Sequence, residues 1–386
     1  MNRFKNMVNE RHEYAKAWQK RTGGKVMGWF EPYFPEEIAY AAGVLPVRIL
    51  SRHEPNDTAD KWIYASCYAV RDMVNQFLKG RYGYIDGLAS VEGCQWMYDA
   101  FEVTANNFPH LFNHFIFVPD YTDAPTSVDV ARSELDVFKS RLEEWTGQEI
   151  TNEALDHAID VYNTNRRLLR RIYELRRAKN TVILGSEAMN IVLADQLMDK
   201  AEMNKILEAF IPELEDRPPR EDMIRLMLLG SETFDTELEE LAESLGANIV
   251  IDELDSGSSY FWNETYTQKD RLTALSLRYL GRPHNPIKDN NWRRRPQHIF
   301  ELSEDYHVDG AIIAKQIYCH LHGTDNYVVW KLLRERNIPF HFFERDMTLP
   351  AEDTEVRLEA FLNMIRPGLT HLAGWHKVFG GREALI

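Results

Sequence analysis

The chain has 386 residues, with 45 Lys and Arg against 60 Asp and Glu, a net charge of −15, and 44% hydrophobic side chains. That length suits two or three domains, and the composition excludes a disordered or fibrous chain. The acid excess leaves no basic stripe to displace counterions, so the expected partners are proteins or small molecules, with no nucleic acid and no membrane.

In chain order, residues 1–24 are expected as an N-terminal helix. Met1 to Asn6 carries no apolar run behind it, no stretch approaches a membrane span, and three cysteines fit a reducing compartment, so a cytoplasmic protein is expected. A first α/β domain follows over 25–125. Gly28 ends the apolar run Val26-Met27, an acid-started helix runs from Glu36 to a terminal Gly43, and Val44 to Leu50 reads as the next strand. A helix begins near Cys67. Tyr84 to Leu88 then leads to Cys94, followed by helical residues and an aromatic strand from Phe115 into Asp120.

Residues 126–219 differ. Leu155, Ile159, Tyr162, Leu169, Ile172 and Tyr173 recur at broadly helical spacing, which predicts a helical module. Its basic run, Arg166, Arg167, Arg170, Arg171, Arg176, Arg177 and Lys179, reads first as a solvated face and second as a docking patch for a polyanion or acidic subunit.

The second α/β domain, 220–386, repeats the first. Gly230 ends Leu226 to Leu229, an acid-started helix runs from Glu239 to Gly246, and Ala247 to Ile251 is β-like. Val308-Asp309-Gly310 leads to Cys319, and Phe340 to Phe343 leads to Asp346, so the intervals Cys94–Asp120 and Cys319–Asp346 are nearly equal. Strands separated by helical stretches imply right-handed crossovers and parallel sheets. The expected fold is therefore α/β: two duplicated flavodoxin-like domains with a helical module between them. Gly281 to Gln297, rich in Pro, Arg and Asn, reads as a surface excursion.

Ligands collect outside the carboxyl ends of parallel strands. Cys94 and Cys319 sit there at matching places, and facing copies would bring both sulfurs to one cleft. Counting from the terminal glycines, the counterpart of Cys67 is Asp270, so the site would be asymmetric, with three thiolates. Residue types alone leave three readings. A 4Fe-4S cluster on three cysteines would have one open iron site. A structural zinc would add His320 or His322, without the compact cysteine pairs of zinc folds. Three ordinary buried cysteines would need no ligand. Trp62, Trp96 and Tyr98 read by default as core. No P-loop, G-x-G-x-x-G, G-x-S-x-G or H-E-x-x-H occurs.

Pro35-Glu36-Glu37-Ile38 with Ala41-Ala42-Gly43 and Pro46, Ser66-Cys67 with Arg71, Cys94, Val308-Asp309-Gly310 with Cys319, and Glu344 and Asp346 ahead of Val356 to Phe361 together resemble the 2-hydroxyacyl-CoA dehydratase / benzoyl-CoA reductase family. Within it the chain is most similar to the gamma, or C-type, subunit of the ATP-dependent benzoyl-CoA reductases. The resemblance implies a 4Fe-4S cluster held by Cys67, Cys94 and Cys319. It implies a related iron-sulfur subunit as heterodimer partner, within a heterotetramer. ATP-hydrolysing electron-activating subunits would be fed by a low-potential ferredoxin. Benzoyl-CoA would be reduced to cyclohexa-1,5-diene-1-carbonyl-CoA in anaerobic aromatic degradation, with dehydration of a 2-hydroxyacyl-CoA, or a non-catalytic electron relay, as alternatives. No proton donor is singled out. One departure is the acidic stretch Asp252 to Gly257, where the family carries an arginine.

Overall fold

Strands that alternate with helices have no short hairpin between them, so each must pair parallel with its neighbour. The computed structural model describes residues 2–52, 57–64, 66–266, 268–283, 285–288, 294–345 and 351–366. Among them β1 (Val26–Trp29), β2 (Leu45–Arg48), β3 (Gly87–Val91) and β4 (Phe112–Ile116) form one parallel sheet in the order β2-β1-β3-β4. β5 (Ile224–Gly230), β6 (Ala247–Glu253), β7 (Gly310–Gln316) and β8 (Phe340–Arg345) form a second, in the order β6-β5-β7-β8. The two orders are identical. Each is the first four strands of a flavodoxin-like sheet, so the chain is a duplicated α/β fold.

The helices in chain order are α1 (Asn2–Asn9), α2 (Arg11–Thr22), α3 (Glu36–Ala41), α4 (Tyr68–Leu78) and α5 (Gln95–Asn107) around the first sheet. Then come α6 (Ser127–Thr146), α7 (Asn152–Glu174), α8 (Gly185–Asp195) and α9 (Lys200–Glu215). The second sheet carries α10 (Glu237–Ser244), α11 (Ser258–Phe261), α12 (Arg271–Leu280), α13 (Arg294–Asp305), α14 (His320–Glu335) and α15 (Ala351–Ile365). The N-terminal stretch expected as one helix is thus two, broken at Glu10. No helix among the described residues is long and apolar enough to cross a membrane.

Strands β1, β2, β5 and β6 are buried along their whole length, as parallel strands covered on both faces must be. After α3 and α10, Gly43 and Gly246 have φ of 71° and 86°, the left-handed backbone that ends the helix and turns the chain into the next strand. The aromatic strand of the first copy begins three residues earlier than Phe115 and stops at Ile116, where pairing with Val91 runs out. Phe117 beyond it is 46% exposed. Asp346, the expected counterpart of Asp120, lies outside the described residues.

The two copies are sewn together by buried polar contacts. Tyr260 and Tyr279 donate their hydroxyls to Glu36 Oε1 at 2.6 Å and Glu37 Oε2 at 2.7 Å, and Arg166 of α7 pairs with Glu37. The basic run divides: Arg166 and Arg176 turn inward, whereas Arg167, Arg171, Arg177 and Lys179 stay exposed, as a solvated face would have them. Arg176 is buried, Arg167 pairs with Glu264, Arg171 with Glu215 and Arg177 with Asp305. The stretch after Gly281 is likewise not a surface excursion where it is described. Arg282, Asn285, Lys288 and Arg295 are buried, and Lys288 reaches the first copy, donating to Val118 O at 2.6 Å and to Asp120 Oδ1 at 3.1 Å. Charged heads turn inward there because acidic and carbonyl partners wait for them.

Candidate functional site

Cys67, Cys94 and Cys319 are each the N-cap residue of a helix, α4, α5 and α14 respectively. Each has extended backbone torsions, so the chain turns into the helix at the cysteine itself, arriving from a strand end at Cys94 and Cys319 and from the loop after β2 at Cys67. A helix N-terminus carries unpaired N–H groups and a partial positive charge, which favours an anion there. The N–H of the third helical residue, Val70, Met97 or His322, faces each sulfur and favours its thiolate, though without full hydrogen-bond geometry.

All three sulfur-bearing residues line a single cavity, with about 470 Å³ of empty space, part of it open solvent. Cys94 and Cys319 stand just beyond the carboxyl ends of β3 and β7, as expected, and Cys67 joins them from the long loop after β2. Asp270, the counted counterpart of Cys67, is the N-cap of α12, but it bonds Arg132 and Thr273 and is not on the cavity wall. The asymmetry foreseen from the counting is therefore present.

The rest of the wall is largely apolar, with Val70, Met97, Phe234, Ile287 and Leu321. Burial in it pushes the Cys67 thiol up to about 12 and raises Cys94 and Cys319 as well, so without a bound cation each sulfur keeps its proton. Among the described residues no three His, Cys, Asp or Glu side chains converge closely enough to hold a single ion.

Three cavity residues escaped the reading of the sequence. Glu31 and Glu232 each lie two residues beyond the first strand of their copy, and their matched place was the available signal. Glu31 is buried and accepts the backbone N–H of Cys94 at 3.0 Å. Burial, then the nearby Glu232, pushes its carboxyl up to about 8. Glu232 is also raised, by burial, against the pull of Arg48, with which it pairs. Gln316 spans the copies: Nε2 donates to Glu232 O at 2.7 Å and Oε1 accepts the Ala69 N–H of α4 at 3.3 Å.

Of the neighbouring aromatics, Trp62 and Tyr98 are 56% and 37% exposed rather than core. Trp96 donates Nε1 to Tyr318 O beside Cys319. His320 is exposed, whereas His322 is buried on the cavity wall. In the acidic stretch, Asp252 accepts the Tyr173 hydroxyl at 2.6 Å and Glu253 pairs with Arg295, so these acids are internal partners and do not face the cavity.

Residues 32–365 match the family model described as 2-hydroxyglutaryl-CoA dehydratase, D-component. The chain is 23% identical over 367 residues to the (R)-phenyllactyl-CoA dehydratase beta subunit of Clostridium sporogenes, covering 93% of this chain and 97% of that one. It is 23% identical over 342 residues to the C-type subunit of benzoyl-CoA reductase from Thauera aromatica, covering 86% and 88%. With (R)-2-hydroxyglutaryl-CoA dehydratase subunit beta of Acidaminococcus fermentans the identity is 24% over 358 residues, covering 89% and 93%. With the match covering most of the chain and the positions of all three cysteines, the chain belongs to the 2-hydroxyglutaryl-CoA dehydratase D-component family.

Proposed function

We propose that Cys67, Cys94 and Cys319 together hold one 4Fe-4S cluster, and that the chain is an iron-sulfur subunit of a complex acting on an acyl-CoA thioester. The observation that carries this reading is the shared cavity walled by three N-cap cysteines from both copies. When bound, such a cluster supplies low-potential single-electron transfer. The residues of the chain do the rest. Three helix N-termini offset the negative charge of three thiolates. Val70, Met97, Phe234, Ile287 and Leu321 set apolar surface around the sulfurs. Glu31, held largely neutral by burial, adds little charge to repel them.

For the reaction, the motifs of the sequence and the relative from Thauera aromatica support reduction of benzoyl-CoA to cyclohexa-1,5-diene-1-carbonyl-CoA. The relatives from Clostridium sporogenes and Acidaminococcus fermentans support dehydration of a 2-hydroxyacyl-CoA as the second reading. Either reaction calls for a related iron-sulfur subunit, with ATP-hydrolysing electron-activating subunits and a low-potential ferredoxin behind it. The sheet-bearing units 25–125 and 220–386 would then clasp the cluster between them, braced by 126–219.

The test begins with anaerobic isolation and quantification of iron and acid-labile sulfide. About four irons per chain are expected, lost together in Cys67→Ser, Cys94→Ser and Cys319→Ser. Unchanged iron in any variant removes that cysteine from the set. Product analysis of the complex with benzoyl-CoA and with a 2-hydroxyacyl-CoA then separates the reactions: an enoyl-CoA with an intact ring overturns the reductase reading.

A further inference from the structure

The three cysteine-started helices repeat one local arrangement, with Cys at the N-cap and the third helical residue, Val70, Met97 or His322, on the cavity wall. At a helix start the third side chain folds back toward the N-cap residue. All three side chains line the cavity that the sulfurs share. Two of the three are apolar, and the imidazole of His322 is the exception. It is 5% exposed, and its Nδ1 is buried with no hydrogen-bond partner. An unsatisfied buried nitrogen costs about 1–3 kcal/mol, so a group that satisfies it is expected.

We propose that Nδ1 of His322 binds the iron that no cysteine holds, completing a ligand set of three sulfurs and one nitrogen; this rests on the 4Fe-4S reading above. The other polar groups on the wall are already engaged: Glu31 accepts the Cys94 N–H and Glu232 pairs with Arg48. Imidazole replaces thiolate in known iron-sulfur centres. The Nε2–H tautomer donates its Nδ1 lone pair, with no proton or electron transferred. Four protein ligands leave no vacant position for a thioester oxygen, so this subunit passes electrons and the thioester is bound by the partner.

The full chain, carrying isotopically labelled histidine and isolated anaerobically, is reduced and examined by pulsed EPR. Coupling of the cluster spin to one histidine nitrogen is expected. That coupling disappears in His322→Ala and in His322→Cys, where the new thiolate retains about four irons. Four irons without histidine coupling, or coupling that survives His322→Ala, overturns the His322 assignment and leaves the cluster reading standing. Wild-type chain devoid of iron and sulfide overturns the cluster reading and this one with it.

Discussion

The indole Nε1 of Trp96 donates to the carbonyl oxygen of Tyr318 at 3.3 Å, which ties the helix that begins at Cys94 to the turn that presents Cys319. Trp96→Phe keeps a ring beside His320 and deletes the bond. Stability to urea should fall by about 0.5–1.5 kcal/mol, and iron should pass faster to an external chelator. Unchanged release would show that this tie does not hold the two cysteines in place.

The matched glycines Gly28 and Gly230 should respond unequally to alanine. A Cβ on Gly28 meets only the tips of Ile49 and Ile85, at 2.8 and 2.9 Å. On Gly230, at φ 126°, it would overlap the Ala314 carbonyl oxygen, in backbone that L side chains rarely adopt. Gly28→Ala should cost about 1–3 kcal/mol by overpacking. Gly230→Ala should cost more than about 4 kcal/mol and yield little soluble chain. Equal urea midpoints would contradict this.

Arg166 and Glu37 form a buried pair that joins α7 to the first copy. Arg166→Met strands the carboxylate, a loss of about 3–5 kcal/mol. Adding Glu37→Gln removes the charge while keeping an acceptor for the Tyr279 hydroxyl, and should recover most of that loss. A double variant no better than the single would place the cost in packing around Arg166.

Glu239 of α10 is 2% exposed with Oε1 unpartnered, and burial, then Asp235, pushes its carboxyl up to about 8 from the ordinary 4.5. Between those values the folded chain keeps a proton that the unfolded chain releases, so folding stability falls as pH rises through this window. Glu239→Gln should reduce the difference in urea stability between about pH 5 and pH 8 by a few kcal/mol. An unaltered pH profile would mean that the carboxyl titrates normally.

Much of the site was legible. Cys94 and Cys319 stood at matched places because a duplicated strand-helix unit carries its own spacing, and the helix begun at Cys67 has its counted counterpart in the N-cap Asp270. Glu31 and Glu232 were missed although they occupy equivalent positions, because a lone carboxylate beyond a strand looks like any loop acid until burial is known. Two members of the basic run misled for the same reason. Arg166 in α7 and Arg176 just beyond its end look solvated in a stretch rich in charge, and only packing against Glu37 and the Ile249 carbonyl takes them inside.

The sequence by itself determined the elements, their parallel pairing and their repetition, since apolar period, acid-started helices and terminal glycines act over a few residues. Tertiary packing alone decided that three sulfurs from both copies wall one cavity, which charges are partnered, and that His322 keeps an unsatisfied nitrogen there. Those outcomes depend on distances between residues far apart in the chain, which close packing fixes and local propensity does not.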